Sequence, residues 1–74
     1  MRISVRLIGG FRIDRFDEMV IDVPTGTKAL EIIQQLGIPE NILGVALING
    51  LHVHKDETLK AGDTLTLLPI LGGG

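Results

Sequence analysis

His52 and His54 are the side chains whose type and spacing first suggest chemistry. Residues two apart share one face of a β-strand, so this pair would offer two imidazole ligands to a metal ion. A third ligand is needed, and because the chain has no cysteine, only Asp56 and Glu57 in the following turn are near enough. We therefore interpret both histidines as exposed residues of an edge strand and predict no metal site.

Motifs for nucleophilic catalysis and phosphate binding are also weak in this sequence. Ser4 is the sole serine and falls within a predicted strand, whereas a catalytic serine needs an adjacent base held by a third group. The acidic residues are scattered through turns and one helix face, so no two of them are recognisable as an acid and a base. Gly9 and Gly10 match no phosphate-loop pattern and no helix follows them at once, so they indicate a strand break.

The remaining candidate is the terminal sequence LLPILGGG, in which Gly72, Gly73 and Gly74 follow an apolar segment. Glycine adds no side chain to a core and loses the most backbone freedom when it is ordered, so three glycines in a row do not serve packing. An inert, frayed end is the structural alternative, since disorder collects at chain ends.

The composition of the 74 residues indicates one small cytoplasmic domain. A net charge of −2 gives no basic field for nucleic acid, and no apolar run approaches the ~20 residues that span a bilayer. We therefore expect no nucleic-acid or membrane partner. Because 45% of the residues are hydrophobic and only 3% aromatic, the core must consist of Ile, Leu and Val, with surplus apolar surface for an interface.

Alternating apolar and polar residues predict five short strands. These strands are predicted at 2–8, 19–23, 45–48, 51–54 and 64–68. The Asn49-Gly50 pair suits a type I′ turn between the third and fourth strands. A further turn at 60–63 precedes the last strand, in which Leu65 and Leu67 share one face.

A single amphipathic helix of about ten residues is predicted within 28–37. Thr27 is the expected N-cap and Gly37 the C-terminal stop. The apolar stripe is expected to consist of Ala29, Leu30, Ile33 and Leu36.

This order of elements predicts an α+β fold, a ubiquitin-like β-grasp with a mixed four- to five-stranded sheet packed on one helix. Residues 1–71 are assigned to the β-grasp domain and residues 72–74 to a flexible glycine tail.

The stretch INGLHV…KDETLKAGDTLTLLPILGGG resembles the C-terminal half of the MoaD and ThiS family of ubiquitin-like sulfur carriers. The shared features are the Asn49-Gly50 turn, Leu59 before the Gly62-Asp63 turn, and an apolar strand that runs into terminal glycines. The sequences VRL at 5–7 and P-x-G-T at 24–27 extend the resemblance, which is weakest over 9–18.

The resemblance implies that the reactive group is the α-carboxylate of Gly74. An adenylating enzyme of the ubiquitin-activating type would use ATP to join this carboxylate to AMP, and a sulfur donor would then convert it to a thiocarboxylate. No cofactor is expected on the chain, which would not be an enzyme alone. The implied partners are that enzyme and either a molybdopterin synthase large subunit, in molybdopterin or tungstopterin synthesis, or a thiazole synthase, in thiamine synthesis.

An apolar docking surface flanked by cations is expected beside the tail if the first and last strands pair in parallel. Its expected residues are Arg2, Ser4, Arg6, Thr66, Leu68, Ile70 and Leu71.

Two departures from the family pattern are the third glycine and Leu71, where a smaller or more polar residue is common. If the partners measure distance from the docking surface, the extra glycine displaces the carboxylate by about 3.5 Å. Gly74 is then used as it stands, enters a longer channel of the partner, or is removed first, and we expect the first of these. Two alternative functions remain, a protein modifier joined to lysine through Gly74 and a non-catalytic β-grasp binding module with an inert tail.

Overall fold

The structure, a computed structural model, describes residues 1–70 of the chain. That part contains five β-strands, one α-helix and two short 3₁₀ turns. In chain order these are β1 (Arg2–Leu7), a 3₁₀ turn (Gly9–Arg12), β2 (Glu18–Asp22), α1 (Ala29–Gln35), a 3₁₀ turn (Glu40–Ile42), β3 (Leu43–Ile48), β4 (Leu51–Val53) and β5 (Thr64–Pro69).

The strands form one mixed sheet in the order β2-β1-β5-β3-β4. β1 and β5 pair in parallel at its centre, with Ser4 opposite Thr64 and Arg6 opposite Thr66, and all other pairs are antiparallel. A parallel pair cannot be joined by a tight turn, so the chain must cross over, and α1 lies in that crossover. The predicted α+β fold, with a mixed sheet packed on one helix, is confirmed.

The hydrophobic core lies between α1 and one face of the sheet. The alternation predicted for the two central strands is confirmed, since Ile3, Val5, Leu65 and Leu67 are all buried. Three further buried residues come from the connections and were not predicted as core: Phe11, Ile38 and Leu59. The opposite face of the sheet is covered by no other element of residues 1–70, and polar and half-buried apolar side chains share it.

The helix is shorter than predicted, and its apolar stripe is shifted. It spans seven residues, and Ala29, Ile32 and Ile33 are its buried residues. Leu30 and Leu36, which were expected in the stripe, are only half-buried.

The prediction of Thr27 as the N-cap is wrong. Lys28 holds that position without a side-chain hydrogen bond, and the Thr27 hydroxyl donates to the Pro24 carbonyl at 2.7 Å. The first helical amides are satisfied by distant backbone instead, because the Ala29 N–H donates to the Glu57 carbonyl at 3.0 Å. A turn that follows β4 therefore does the work usually done by a capping side chain.

The end of the helix is tied to the connection between β1 and β2. Gly37 has φ = +70° and ends the helix as predicted. The Arg15 guanidinium donates to the Leu36 carbonyl at 3.0 Å and to the Phe11 carbonyl at 3.2 Å. A cation at the negative end of the helix dipole is favourable, so this contact joins two segments that the sequence leaves unrelated.

The two turn motifs of the C-terminal half contact each other. Asn49 and Gly50 have φ values of +54° and +83°, which confirms the predicted hairpin turn. The Asn49 side-chain N–H donates to the Asp63 carboxylate at 2.9 Å, and the Asn49 side-chain oxygen accepts the Thr64 N–H at 2.9 Å. The hairpin turn therefore holds the start of β5 in place.

Within residues 1–70, no helix is long and apolar enough to cross a lipid bilayer.

Candidate functional site

The end of β5, where the chain approaches its glycine-rich terminus, is held on the side of β3. Pro69 lies opposite Leu43, and the Ile70 N–H donates to the Ile42 carbonyl at 2.9 Å. The pairing of β3 with β5 shifts register between Leu43 and Val45, as in a β-bulge. The root of the tail is therefore bound to the sheet up to residue 70.

Two glycines stand beside Pro69. A Cβ atom added at Gly44 would lie 2.8 Å from the Pro69 carbonyl oxygen and 3.0 Å from the Ile70 nitrogen. A Cβ added at Gly9, whose φ is +59°, would lie 3.4 Å from Pro69 Cγ. A side chain at Gly44 would therefore clash with the backbone of Pro69, whereas one at Gly9 would make ordinary van der Waals contact with the proline ring.

The predicted docking residues of β1 and β5 lie on the uncovered face of the sheet. Thr66 has Arg6 on one side and Leu47 on the other, and Leu68 lies opposite Val45. Ile70 is 52% exposed and Ile8, at the end of β1, is 37% exposed. We call this surface the outer patch, defined by Ile8, Val45, Leu47, Thr66, Leu68 and Ile70.

The expected cations beside the outer patch are engaged in ion pairs. Arg2 Nε lies 3.2 Å from an Asp22 carboxylate oxygen, and Arg6 Nε lies 3.5 Å from a Glu18 carboxylate oxygen. Hydrogen bonding to Arg2 and its positive charge hold the pKa of Asp22 below its ordinary value. Acidic residues of β2 therefore offset the positive charge that β1 places beside the patch.

The two histidines do not form a metal site with other residues of the described chain. His52 lies opposite Leu47, whereas His54 follows the end of β4 and accepts the Asp56 N–H through Nδ1 at 3.2 Å. Within residues 1–70, no three side chains of the His, Cys, Asp and Glu types converge on one point. Ser4 pairs in register with Val20 and Thr64, neither of which is a base.

Comparison with known proteins decides the family. A sequence model described as the ThiS family matches residues 5–74. The chain belongs to the ThiS family. This match confirms the resemblance drawn from the Asn49-Gly50 turn and the terminal glycines. No curated protein matches the chain by sequence.

Solved structures with the same fold come from archaea and bacteria. SAMP1 from Haloferax volcanii is 19% identical with a TM-score of 0.78, and the match covers 100% of both chains. A protein from Pyrococcus furiosus, named as a putative molybdopterin converting factor subunit 1, is 24% identical with a TM-score of 0.75. The match covers 96% of this chain and 99% of that one. A complex of subunits 1 and 2 of the molybdopterin-converting factor from Helicobacter pylori matches at 22% identity and a TM-score of 0.67, covering 100% of both chains. These likenesses show the ThiS-family chain to have a ubiquitin-like β-grasp fold.

The residues predicted to carry the chemistry, Gly72, Gly73 and Gly74, lie outside the described residues, as does Leu71. Their roles in this member of the ThiS family stay predictions. The structure brings the predicted docking residues of β1 and β5 onto one face next to the root of the tail.

Sequence reasoning missed Gly44 and the β3 side of the outer patch. An isolated glycine in an apolar strand indicates a bulge or a close approach of backbone, which is the signal that would have singled out Gly44. Val45 and Leu47 were predicted only as part of a short apolar strand, without assigning its residues to faces. Residues two apart in a strand share one face, so the two could have been placed together.

Proposed function

We propose that this chain is a sulfur carrier whose Gly74 carboxylate is adenylated by a partner enzyme and then converted to a thiocarboxylate. The observation that carries the proposal is the ThiS-family match, which continues from residue 5 through the glycines to residue 74. The uncovered outer patch beside the root of the tail supports it, because a carrier without its own active site needs a surface for its partners.

The chemistry follows from the weakness of a carboxylate as an electrophile. A carboxylate oxygen of Gly74 attacks the α-phosphorus of ATP and displaces pyrophosphate, which leaves a mixed anhydride with AMP. A sulfide-equivalent nucleophile from a donor then attacks the carbonyl carbon and displaces AMP, which gives the thiocarboxylate. ATP is thus consumed on the partner, and the carrier contributes the acyl group.

The glycines suit entry into another protein's active site. They have no Cβ atom and adopt either sign of φ, so they fit a narrow channel beside a nucleotide. Three extended residues reach about 10 Å beyond the domain. Ordering them costs about 1 to 2 kcal/mol per residue, so contacts of the outer patch must hold the complex together.

We propose two partners in the cytoplasm, an adenylating enzyme of the ubiquitin-activating type and an enzyme that uses the carried sulfur. The second is the large subunit of a molybdopterin synthase, in molybdopterin or tungstopterin synthesis, or a thiazole synthase. The Helicobacter pylori neighbour, a complex of subunits 1 and 2 of the molybdopterin-converting factor, supports the first of these.

Mass spectrometry of the protein isolated from its native host tests the proposal. Replacing a terminal carboxylate oxygen with sulfur adds about 16 Da, and the shift must map to the C-terminal peptide. A variant that lacks Gly73 and Gly74 is the control and should show no such shift. Protein that carries no added mass while the host synthesises the end product would contradict the proposal.

A second candidate function is conjugation to other proteins through Gly74. The likeness to SAMP1, which a further structure of the same Haloferax protein calls a small archaeal modifier protein, supports it. Conjugation predicts a ladder of heavier species and lysines that carry the C-terminal glycines after proteolysis. If deleting Gly73 and Gly74 leaves the host phenotype unchanged, the third candidate, a binding module with an inert tail, replaces both.

A further inference from the structure

Gly44 is the one position of β3 at which a side chain has no space. A Cβ added there would lie 2.8 Å from the Pro69 carbonyl oxygen, a distance shorter than van der Waals contact. Gly44 does not have a positive φ, so its backbone conformation is open to other residues. The requirement for glycine is therefore steric, and the three nearest atoms all belong to Pro69 and Ile70.

This close approach lets β3 hold β5 as far as residue 70. The Ile70 N–H donates to the Ile42 carbonyl at 2.9 Å, one residue beyond the strand proper. On the other side of Pro69, a Cβ added at Gly9 would only reach van der Waals contact with the proline ring, so the tight approach is confined to Gly44. Any larger residue at Gly44 must push Pro69 and Ile70 away from β3, which stretches or breaks the bond to Ile42.

We propose that Gly44 is a positioning residue that sets where the tail leaves the domain and in which direction. This inference rests on the proposed function, because position matters only if the tail must reach a reacting centre. The four residues after Ile70 reach about 13 to 14 Å when extended. Once the partner's channel holds these residues extended, a displacement of their root moves the terminal carboxylate by a comparable distance, and a misplacement of 1 Å can reduce a rate about 100-fold.

The first test measures the anchor itself, through hydrogen exchange of the Ile70 amide followed by NMR. In the wild-type protein this amide should be protected, and in Gly44→Ala it should exchange at least about tenfold faster. Amides at the centre of β5, such as that of Leu65, should keep their protection. Gly10→Ala is the matched control, because Gly10 also lacks a positive φ and an added Cβ there meets nothing within 4 Å.

The second test measures adenylation of the carrier by a candidate activating enzyme, as ATP–pyrophosphate exchange. For Gly44→Ala we expect kcat to fall about tenfold to 100-fold, because the carboxylate is misplaced in the bound complex. KM for the carrier should change much less than kcat, because Ile70 is the only one of the six outer-patch residues that the substitution displaces. Gly10→Ala should match the wild-type protein in both constants.

A variant pair at position 70 tests the same anchor if Gly44→Ala does not fold. Ile70→Pro removes the N–H that donates to Ile42, whereas Ile70→Ala keeps this N–H and removes only the side chain. We expect Ile70→Ala to act mainly on KM, and Ile70→Pro to lower kcat at least about tenfold below that of Ile70→Ala.

The outcomes separate this inference from the function on which it rests. If the wild-type protein is adenylated and Gly44→Ala has the same kcat, only the proposed role of Gly44 is overturned, and the proposed function stands. Equal kcat values for Ile70→Pro and Ile70→Ala would lead to the same conclusion. Failure of every candidate enzyme to adenylate the wild-type protein would overturn the proposed function together with the tail role. An Ile70 amide that stays protected in Gly44→Ala would show that the anchor does not depend on glycine.

Discussion

At the scale of single residues, the ion pairs beside the outer patch determine how much charge a partner encounters. Arg2 and Asp22 are both largely exposed, with side chains 73% and 70% accessible. Water and salt screen such a pair, so it contributes little to folding. Its main effect is local, because Asp22 offsets the charge of Arg2 and the pKa of Asp22 is held below its ordinary value.

The titration of Asp22 provides a test of this pair. Because Arg2 lowers the pKa of Asp22, the pair stabilises the fold above the ordinary pKa of aspartate, and this stability is lost as the pH falls through the lowered pKa. In Arg2→Gln the pKa of Asp22 should rise toward its ordinary value, as measured by NMR of the carboxyl carbon. Arg12→Gln is the control, because the Arg12 side chain donates to the Gly9 carbonyl and should not affect Asp22. An unchanged Asp22 titration in Arg2→Gln would contradict the assigned pair.

At the scale of elements, the β3–β4 hairpin turn carries more than the reversal of the chain. Asn49 combines an αL backbone with two side-chain hydrogen bonds, one to Asp63 and one to the N–H of Thr64. Asp63 also accepts the Lys60 N–H at 2.8 Å, so one carboxylate joins the hairpin to the turn before β5. The start of the strand that leads to the tail therefore depends on this contact.

Substitution of Asn49 measures the strength of this link. We expect Asn49→Ala to lower the free energy of unfolding by about 2 to 3 kcal/mol, because two hydrogen bonds are lost and alanine is strained at positive φ. Asn49→Gly loses the same bonds without the strain, so its loss should be smaller by about 1 kcal/mol. Urea unfolding followed by far-UV circular dichroism is the measurement, since the chain has no Trp or Tyr. Equal losses in the two variants would show that backbone strain plays no part.

The elements also show which features the sequence could and could not predict. The alternation of apolar and polar residues identified β1 and β5, because side chains of a strand point alternately to its two faces and only one face of each is buried. The prediction of Thr27 as the helix N-cap was wrong because the Ala29 N–H donates to the Glu57 carbonyl. No local pattern around Thr27 encodes that contact. Phe11 was missed for the same reason, since a 3₁₀ turn within a charged loop buries it.

The candidate site could also be predicted only in part. The alternation in β5 placed Thr66 and Leu68 on the outer face. The expected parallel pairing of the first and last strands, which the structure confirms, placed Arg6 beside them. The acidic partners of the arginines and the fit of Gly44 against Pro69 depend on strand register across the sheet. Register depends on the turns and on which face of every strand the core buries, so the pattern of one strand alone does not specify it.

At the scale of the whole molecule, one helix covers only one face of the sheet. Each central strand therefore has an inner face that packs in the core and an outer face without cover among residues 1–70. A chain of 74 residues buries only about 60% of the surface that its unfolded form exposes, so a stability of about 4 to 11 kcal/mol is expected. The inner face of β5 supplies part of that stability. Its outer face has no cover among residues 1–70 and is available for a partner.

Two adjacent leucines of β5 lie one on each of these faces. Leu67 is fully buried, with 0% of its surface exposed, whereas Leu68 lies half-buried on the outer patch opposite Val45. Leu67→Ala should lower the free energy of unfolding by about 2 to 5 kcal/mol, because it leaves a cavity in the core. Leu68→Ala should cost about 1 kcal/mol or less, because water already reaches that side chain.

The reverse order is expected for partner binding, which makes the pair a test of the whole arrangement. Under the proposed function, Leu68→Ala should raise KM for the activating enzyme about fivefold or more, while kcat changes little, because docking is weakened and the tail keeps its anchor. Leu67→Ala, assayed at a temperature where it stays folded, should retain a KM near that of the wild-type protein. If Leu68→Ala instead binds normally and Leu67→Ala does not, the partner recognises something other than the outer patch, and the uncovered face of the sheet loses its assigned use. Far-UV circular dichroism in the assay buffer distinguishes that result from simple unfolding of Leu67→Ala, because only a folded variant with raised KM counts against the arrangement.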